Sequence, residues 1–573
     1  MTSKNYAELG LFLLILLALT PLLGSYMEKV FQGETTLLSP VLEPIERLIY
    51  WIMKIKVARD GKSLTADDEQ DWVHYALNLL CYSGICLVLA YATFRLQKHL
   101  PLNPMQLGPL SPDLALNTAV SFVSNTSWQS YGGETTLSYF SQVFGIALHS
   151  FLSAAAGLAV GIAVIRGFAR KQSRNLGNFW VDLVRATLYV LIPLCFVSAV
   201  FFISQGIPQN FNHYVEATTL EGGKQLIAQG PVASQIPIKI MGAVGGGFFN
   251  VNAAHPYENP TQLSNFIQIL LLVLIPSALV YTFGKMVRNR KHSWSIWAVM
   301  ALLLVAGIIL VSHVEQAGNP LLGTSGCASS FNMEGKEARF GIFGSSFFAV
   351  TTTASSCGAV NSMHDSYTPL GGLIPLVNML LGEVIFGGLG AGLYGMIVYI
   401  ILTVFIAGLM VGRTPEYLGK RIEGREVKFA LLTIIVTALP ALVLPAYAVL
   451  SADGLAGRAN PGAHGFTEII YAYASGVANI GSAFMGLSAN TPFWNLTLSL
   501  AMFMGRFFVI IPILALAGSV AQKRIHPGSE AVFPTHGPSF MFLLIGVLVV
   551  VGALTYFPML TLGPIAEAFQ LHS

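Results

Sequence analysis

The chain has 573 residues, 54% of them hydrophobic and only 10% charged, where soluble domains carry roughly 25% charged residues. That composition excludes the several soluble domains that length alone would suggest and describes an integral membrane protein. A net charge of +3 is too small to mark a nucleic-acid partner, and the five cysteines follow no disulfide or metal-ligand spacing.

The first apolar run is Leu9 to Leu23. No A-x-A-like cleavage site follows it, so it reads as an uncleaved first span. Glu43 to Lys56 puts Ile45, Leu48, Ile49 and Ile52 on one helical face, with Arg47, Lys54 and Lys56 at its edges. That pattern suits a helix lying in the bilayer interface, or a soluble amphipathic hairpin. Further spans are expected over Trp72 to Phe94, Val143 to Ile165, Val184 to Ile203, Phe266 to Phe283, Ile296 to Val311, Leu373 to Val411, Phe429 to Leu450, Leu496 to Leu516 and Phe540 to Phe557. Leu373 to Val411 is long and contains FGGLGAG (Phe386 to Gly392), so it reads as one interrupted span. Cys81, Cys86 and Cys195 fall in apolar spans and Cys327 in a loop. The expected fold is an all-α membrane protein with about ten transmembrane helices.

Four other apolar stretches are too short to cross a bilayer: Pro112 to Gly133, Pro231 to Asn252, Gly341 to Met363 and Gly465 to Gly486. Each opens into small or polar residues and precedes a long apolar segment, as a re-entrant pore loop does. They recur every 110 to 125 residues or so, the mark of a repeat. Glycine lets carbonyls turn toward one axis, and irregular backbone survives at membrane depth only where it is packed in protein or lines a wet cavity. Four such loops can ring a cation with carbonyl oxygens while the short helices aim their negative C-terminal ends at it. The chain then divides into a leading helix and interfacial segment (1–70), four helix/pore-loop/helix repeats (71–172, 173–291, 292–425 and 426–525) and a trailing helix (526–573).

The loops between repeats carry Arg166, Arg170, Lys171 and Arg174, then Lys285, Arg288, Arg290 and Lys291, then Arg413, Lys420, Arg421 and Arg425, then Lys523 and Arg524. Fewer basic residues lie on the pore-loop side, so the inter-repeat loops are expected in the cytoplasm and the pore loops on the opposite face. Two charges fall where charge is expensive: Glu383 in LLGEVIFGG and Arg506 in AMFMGRFFVIIP. They are expected to pair near the vestibule, with Gln129 in reach, either in ion transfer or as a clamp between repeats. Arg413 is expected to place positive charge below the filter or to anchor the inner interface. Glu134, Glu258 and Asp365 follow the filters and read as an acidic mouth or as solvated loop.

The strings NTAVSFVSNTSWQSYGGETTLSYF (Asn117 to Phe140), NMEGKEARFG (Asn332 to Gly341), RTPEYLGK (Arg413 to Lys420), SAFMGLSANTPFWN (Ser482 to Asn495) and FPTHGP (Phe533 to Pro538) resemble the potassium-binding membrane subunit of the bacterial Kdp potassium-transporting ATPase, related to the Trk/Ktr transporters. The resemblance runs essentially the whole length. It implies potassium uptake across the bacterial inner membrane, with potassium as transported substrate and no organic cofactor. A separate P-type ATPase subunit and accessory membrane subunits would be the partners, and a wet tunnel would lead sideways from the vestibule to the ATPase. Carried over by position, the selectivity filter would comprise Asn125, Thr126 and Ser127; Ala243, Val244 and Gly245; Ser356, Cys357 and Gly358; and Asn479, Ile480 and Gly481, with Gln129 just beyond the first loop. Ala243, Val244 and Ile480 depart from the polar side chains the family leads one to expect, and Pro237 is expected to interrupt the second pore helix.

GKS occurs at Gly61 to Ser63, but Lys56 stands where a phosphate-binding loop needs glycine, and no DKTG string occurs. The chain alone is therefore expected not to hydrolyse ATP. A self-sufficient channel or ion-coupled symporter of the same architecture is the alternative. A membrane-embedded enzyme finds no catalytic motif.

Overall fold

The structure, a computed structural model, describes residues 1–56, 68–320, 331–412, 414–525 and 534–571. Gly61 to Ser63, Cys327 and Arg413 lie outside the described residues. Among the described residues ten helices are long and apolar enough to cross a membrane: Ser3–Gln32, Trp72–His99, Ser141–Ala169, Phe179–Ser204, Gln262–Met286, Arg290–Gln316, Ala391–Met410, Gly424–Leu450, Pro492–Ala521 and Pro538–Gln570. Strand structure among the described residues is confined to three short antiparallel pairs and two isolated bridges.

The spans sort into two layers by how they are covered. In Ser141–Ala169 and Gln262–Met286, 83% of the apolar window is buried in protein, against 28% in Ser3–Gln32, Trp72–His99 and Gly424–Leu450. The first two line the centre, and the last three present most of their apolar surface outward, as a lipid-facing helix must. Small residues let the layers approach closely. Gly24 of the leading span sits where an added methyl would lie 2.7 Å from Ala278 O of the fifth span, and Thr20 Oγ1 meets Ser277 Oγ at 2.5 Å beside it.

Four shorter helices alternate with the spans: Pro112–Val123, Val232–Met241, Gly341–Ala354 and Gly462–Val477. Each lies between two spans of one repeat, and most of its residues are buried. Pro237 does not interrupt the second of them; it lies inside a continuous helix. It stands six positions into that ten-residue helix, so only one internal hydrogen bond is lost. The interrupted span expected over 373–411 is a half-helix, Pro369–Leu380, an irregular stretch and the full span Ala391–Met410.

The interfacial segment forms a helix over Ser39–Ile52 with its polarity reversed relative to a soluble protein. Ile45, Leu48, Trp51 and Ile52 are exposed while Glu46 and Tyr50 are buried. Glu46 accepts hydrogen bonds from Arg185 Nε at 3.0 Å, Tyr50 Oη at 2.6 Å and Tyr189 Oη at 2.7 Å. An apolar outside fastened by polar contacts inside is what a membrane surface calls for.

Candidate functional site

The four short helices end two residues before the expected filter triplets, at Val123, Met241, Ala354 and Val477. Their unsatisfied carbonyl ends therefore face the same centre as the triplets. In all four loops the middle residue donates its backbone N–H to the carbonyl five positions back: Thr126 to Ser121 at 2.8 Å, Val244 to Lys239 at 3.0 Å, Cys357 to Thr352 at 2.9 Å and Ile480 to Ser475 at 2.9 Å. One folding rule is thus repeated four times by sequences that share few residues.

The first residue of every triplet has a left-handed backbone, with φ of 66° at Asn125, 48° at Ala243, 57° at Ser356 and 51° at Asn479. In three loops the third residue does too: Ser127 at 63°, Gly245 at 98° and Gly481 at 92°. Left-handed backbone at alternate positions turns successive carbonyls toward one side, where an extended strand would alternate them. For side chains other than glycine this costs of order 1–2 kcal/mol per residue, and such strain clusters at functional sites.

The loops close into a ring in chain order. Asn125 Nδ2 of the first loop donates to Gly242 O at 3.2 Å and Ala243 O at 3.0 Å of the second. Gly358 N of the third donates to Val244 O of the second at 3.2 Å. Asn479 Nδ2 of the fourth donates to Thr126 Oγ1 of the first at 2.9 Å. Between third and fourth the contact is bare backbone: a methyl added to Gly358 would stand 2.5 Å from Ile480 O. Gly358 is required by this close approach and not by its φ. Val244, Cys357 and Ile480 are fully buried. Ser127 Oγ and Ser356 Oγ are buried with no hydrogen-bond partner in the protein.

Glu383 and Arg506 both line a cavity of about 60 Å³, with Tyr394, Thr433, Thr437 and Asn479, room enough for several waters. A methyl built on Gly388 would lie 3.5 Å from Glu383 Oε2, 3.7 Å from Ser356 Cβ and 3.8 Å from Ala243 Cβ. The carboxylate thus lies beneath the inner ends of the second and third loops. Arg506 sits on a π-helical turn, Met504–Phe508, a local widening that recurs at functional positions. Its Nη2 donates to Ser153 O at 3.2 Å, and Ser153 Oγ donates to Asn125 Oδ1 at 2.8 Å. The direct pair expected from the sequence is not formed: among the described residues no ion pair within 4.0 Å joins Glu383 to Arg506, whose Nη2 is turned to Ser153 O instead. Gln129 belongs to the other end of the ring, where its Oε1 accepts from Gly247 N at 3.1 Å and its Nε2 is buried without a partner.

The acidic mouth takes a different form from the one expected. Glu134 accepts from Asn250 N at 2.9 Å, Glu258 is buried against Lys239, and Asp365 bonds His464 Nε2 at 3.0 Å. His464 also bonds Glu567 at 2.8 Å. Burial opposes its protonation, but the two carboxylates outweigh burial and push its pKa up to about 10. The Lys239–Glu258 pair and the buried Lys336–Glu315 pair, at 2.9 Å, were not legible in the sequence. For Lys239 a signal existed, since aligning the repeats on their filters places it opposite Ser121, Thr352 and Ser475.

Comparison with known proteins shows the family. Residues 10–569 match the family described as Potassium-transporting ATPase A subunit. The potassium-transporting ATPase potassium-binding subunit of Methylorubrum extorquens (strain PA1) is 56% identical over 569 residues, covering 99% of this chain and 98% of that protein. That of Rhodospirillum centenum is 54% identical over 572 residues, covering 100% and 98%. Among solved structures, the potassium transporter TrkH from Vibrio parahaemolyticus aligns over 89% of this chain and 98% of its own with a TM-score of 0.53 at 12% identity, a likeness of fold. The chain belongs to the family of the potassium-transporting ATPase A subunit.

Proposed function

We propose that this multi-pass membrane protein is the potassium-binding subunit of an ATP-driven uptake complex. It takes potassium from the extracytoplasmic side of the bacterial inner membrane through the four-loop filter and hands it to a P-type ATPase subunit. The observation that carries this reading is the closed ring of four loops, each with left-handed backbone at its first residue and a helix C-terminus behind it. Carbonyl rings of this kind replace the hydration shell of a bare cation.

Below the ring, the Glu383 carboxylate and the Arg506 guanidinium line one cavity. A cation leaving the filter is attracted by the first and repelled by the second. The pair thereby favours sideways passage along Thr433 and Thr437 over a straight descent.

The test is co-purification with flux. A stoichiometric ATPase partner, with no potassium flux from the chain alone in liposomes, supports the pump. Flux from the isolated chain supports a channel or symporter instead.

A further inference from the structure

In three repeats the residue five positions before the middle of the filter carries a hydroxyl that braces the loop directly. Ser121 Oγ donates to Trp128 O at 3.0 Å, Thr352 Oγ1 lies 2.7 Å from both Cys357 O and Ala359 O, and Ser475 Oγ accepts from Gly481 N at 2.9 Å. The second repeat has Lys239 at this position. Its side chain is 1% exposed and is paired with Glu258, also 1% exposed. Its Nζ donates to Asn252 Oδ1 at 2.6 Å, and Asn252 Nδ2 donates to Gly245 O at 2.7 Å. Glu258 closes the circuit by accepting from Phe249 N at 2.9 Å.

The ammonium is thus two hydrogen bonds from a filter carbonyl, and the charge that balances it comes from a residue nineteen positions away. A carbonyl has two lone pairs, so Gly245 O can be held from behind by Asn252 and still face the ion. We infer that Lys239, Asn252 and Glu258 form a charge-balanced brace that positions the Gly245 carbonyl and sets the cation affinity of the filter from its second loop.

This rests on the filter reading above, and it differs from a purely structural role in the sign of what each half does. Glu258→Gln leaves a positive charge behind the loop and opposes cation binding. Lys239→Ser restores the hydroxyl of the other repeats but leaves a negative charge, which favours any cation. At the short range involved and in partly desolvated surroundings, an unbalanced charge is worth about tenfold in affinity or more.

The experiment titrates the purified full-length protein with potassium and with sodium and reads ion-dependent thermal stabilisation, which follows ligand binding to the folded state. Glu258→Gln is expected to weaken potassium binding at least tenfold. Lys239→Ser is expected to tighten sodium binding by a similar factor. The double variant, neutral again, should return within about threefold of the parent for potassium. Asn252→Leu, which removes the hydrogen bond without changing charge, should lower the potassium-to-sodium ratio and serves as the readout if either charged single variant does not fold. Shifts of the same sign in the two charge variants, or an unchanged ratio in Asn252→Leu, would overturn the brace. Absence of potassium-dependent stabilisation in the parent would instead overturn the filter reading itself.

Discussion

Substituting Gly245 by alanine tests the ring at a joint where two loops meet backbone to backbone. The new Cβ would lie 2.1 Å from Gly358 N, 2.3 Å from Ala359 N and 2.3 Å from Gly358 Cα, where ordinary contacts need about 3.5 Å. The second and third loops must then move apart by about 1.4 Å. The φ of 98° adds roughly 1–2 kcal/mol of strain that glycine does not have. No flexible side chain is available to yield, since all three contacts are backbone. A displacement of that size breaks the Gly358 N to Val244 O bond of 3.2 Å and moves the carbonyls of two loops. Discrimination between potassium and sodium should fall at least tenfold, about 1.4 kcal/mol. The assay is potassium and sodium titration of ATP hydrolysis by the assembled complex, with size-exclusion chromatography to confirm assembly. A well-assembled Gly245→Ala complex with unchanged ion preference would refute the reasoning.

Gly481→Ala should behave alike, since its Cβ would meet Thr126 O at 2.0 Å, whereas Gly206→Ala, with open space around it, should leave ion preference unchanged in the same titration. Glu383→Gln and Arg506→Met should each lower transport at least tenfold; because the two make no direct pair, a double-mutant cycle read by thermal unfolding should give a coupling below about 1 kcal/mol, and a larger value would argue for a direct bridge. Lys420 donates to Gly167 O and Val520 O at 3.0 Å and Arg170 O at 2.5 Å, tying together the ends of two spans, so Lys420→Met should destabilise the protein by about 3 kcal/mol in denaturant unfolding. For His464, a folded pKa of about 10 against 6.5 unfolded means that its tether to Glu567 is fully present below pH 6.5 and is lost as pH rises toward 10; the hydrogen-exchange protection of residues 561–571, corrected for the intrinsic pH dependence of exchange, should fall across that window, and in His464→Gln that fall should vanish.

The spans and the four loops were legible because both announce themselves locally. A run of apolar residues sets length, and a short helix opening into Ser-Asn-Thr-Ser or Gly-Gly-Gly sets a loop. The ring order was not legible, since Asn125 reaches Ala243 and Asn479 reaches Thr126 through contacts that no local pattern encodes. The same holds for charge. Glu258 reads as solvated because its neighbours are polar, yet Lys239 takes it inside. Arg166 reads as a cytoplasmic marker, and it is held in the core by Asp182 through bonds of 2.6 and 2.7 Å. Glu383 and Arg506 were legible because each interrupts an apolar run, but the contact that turns Arg506 to Ser153 O of another span is tertiary. Pro237 does not break its pore helix, because it is buried within a helix that runs on through Met241 at the loss of one internal hydrogen bond.

The four loops come from one polypeptide, with one copy of each triplet. In a symmetric tetramer every change in a filter residue is made four times over, and most such changes would be intolerable together. Here Cys357 stands in one quarter only, Ile480 in another and Lys239 behind a third. On the proposed filter, each quarter can therefore be altered alone while the other three keep their geometry, and heritable variation can search a graded series of affinities in small steps.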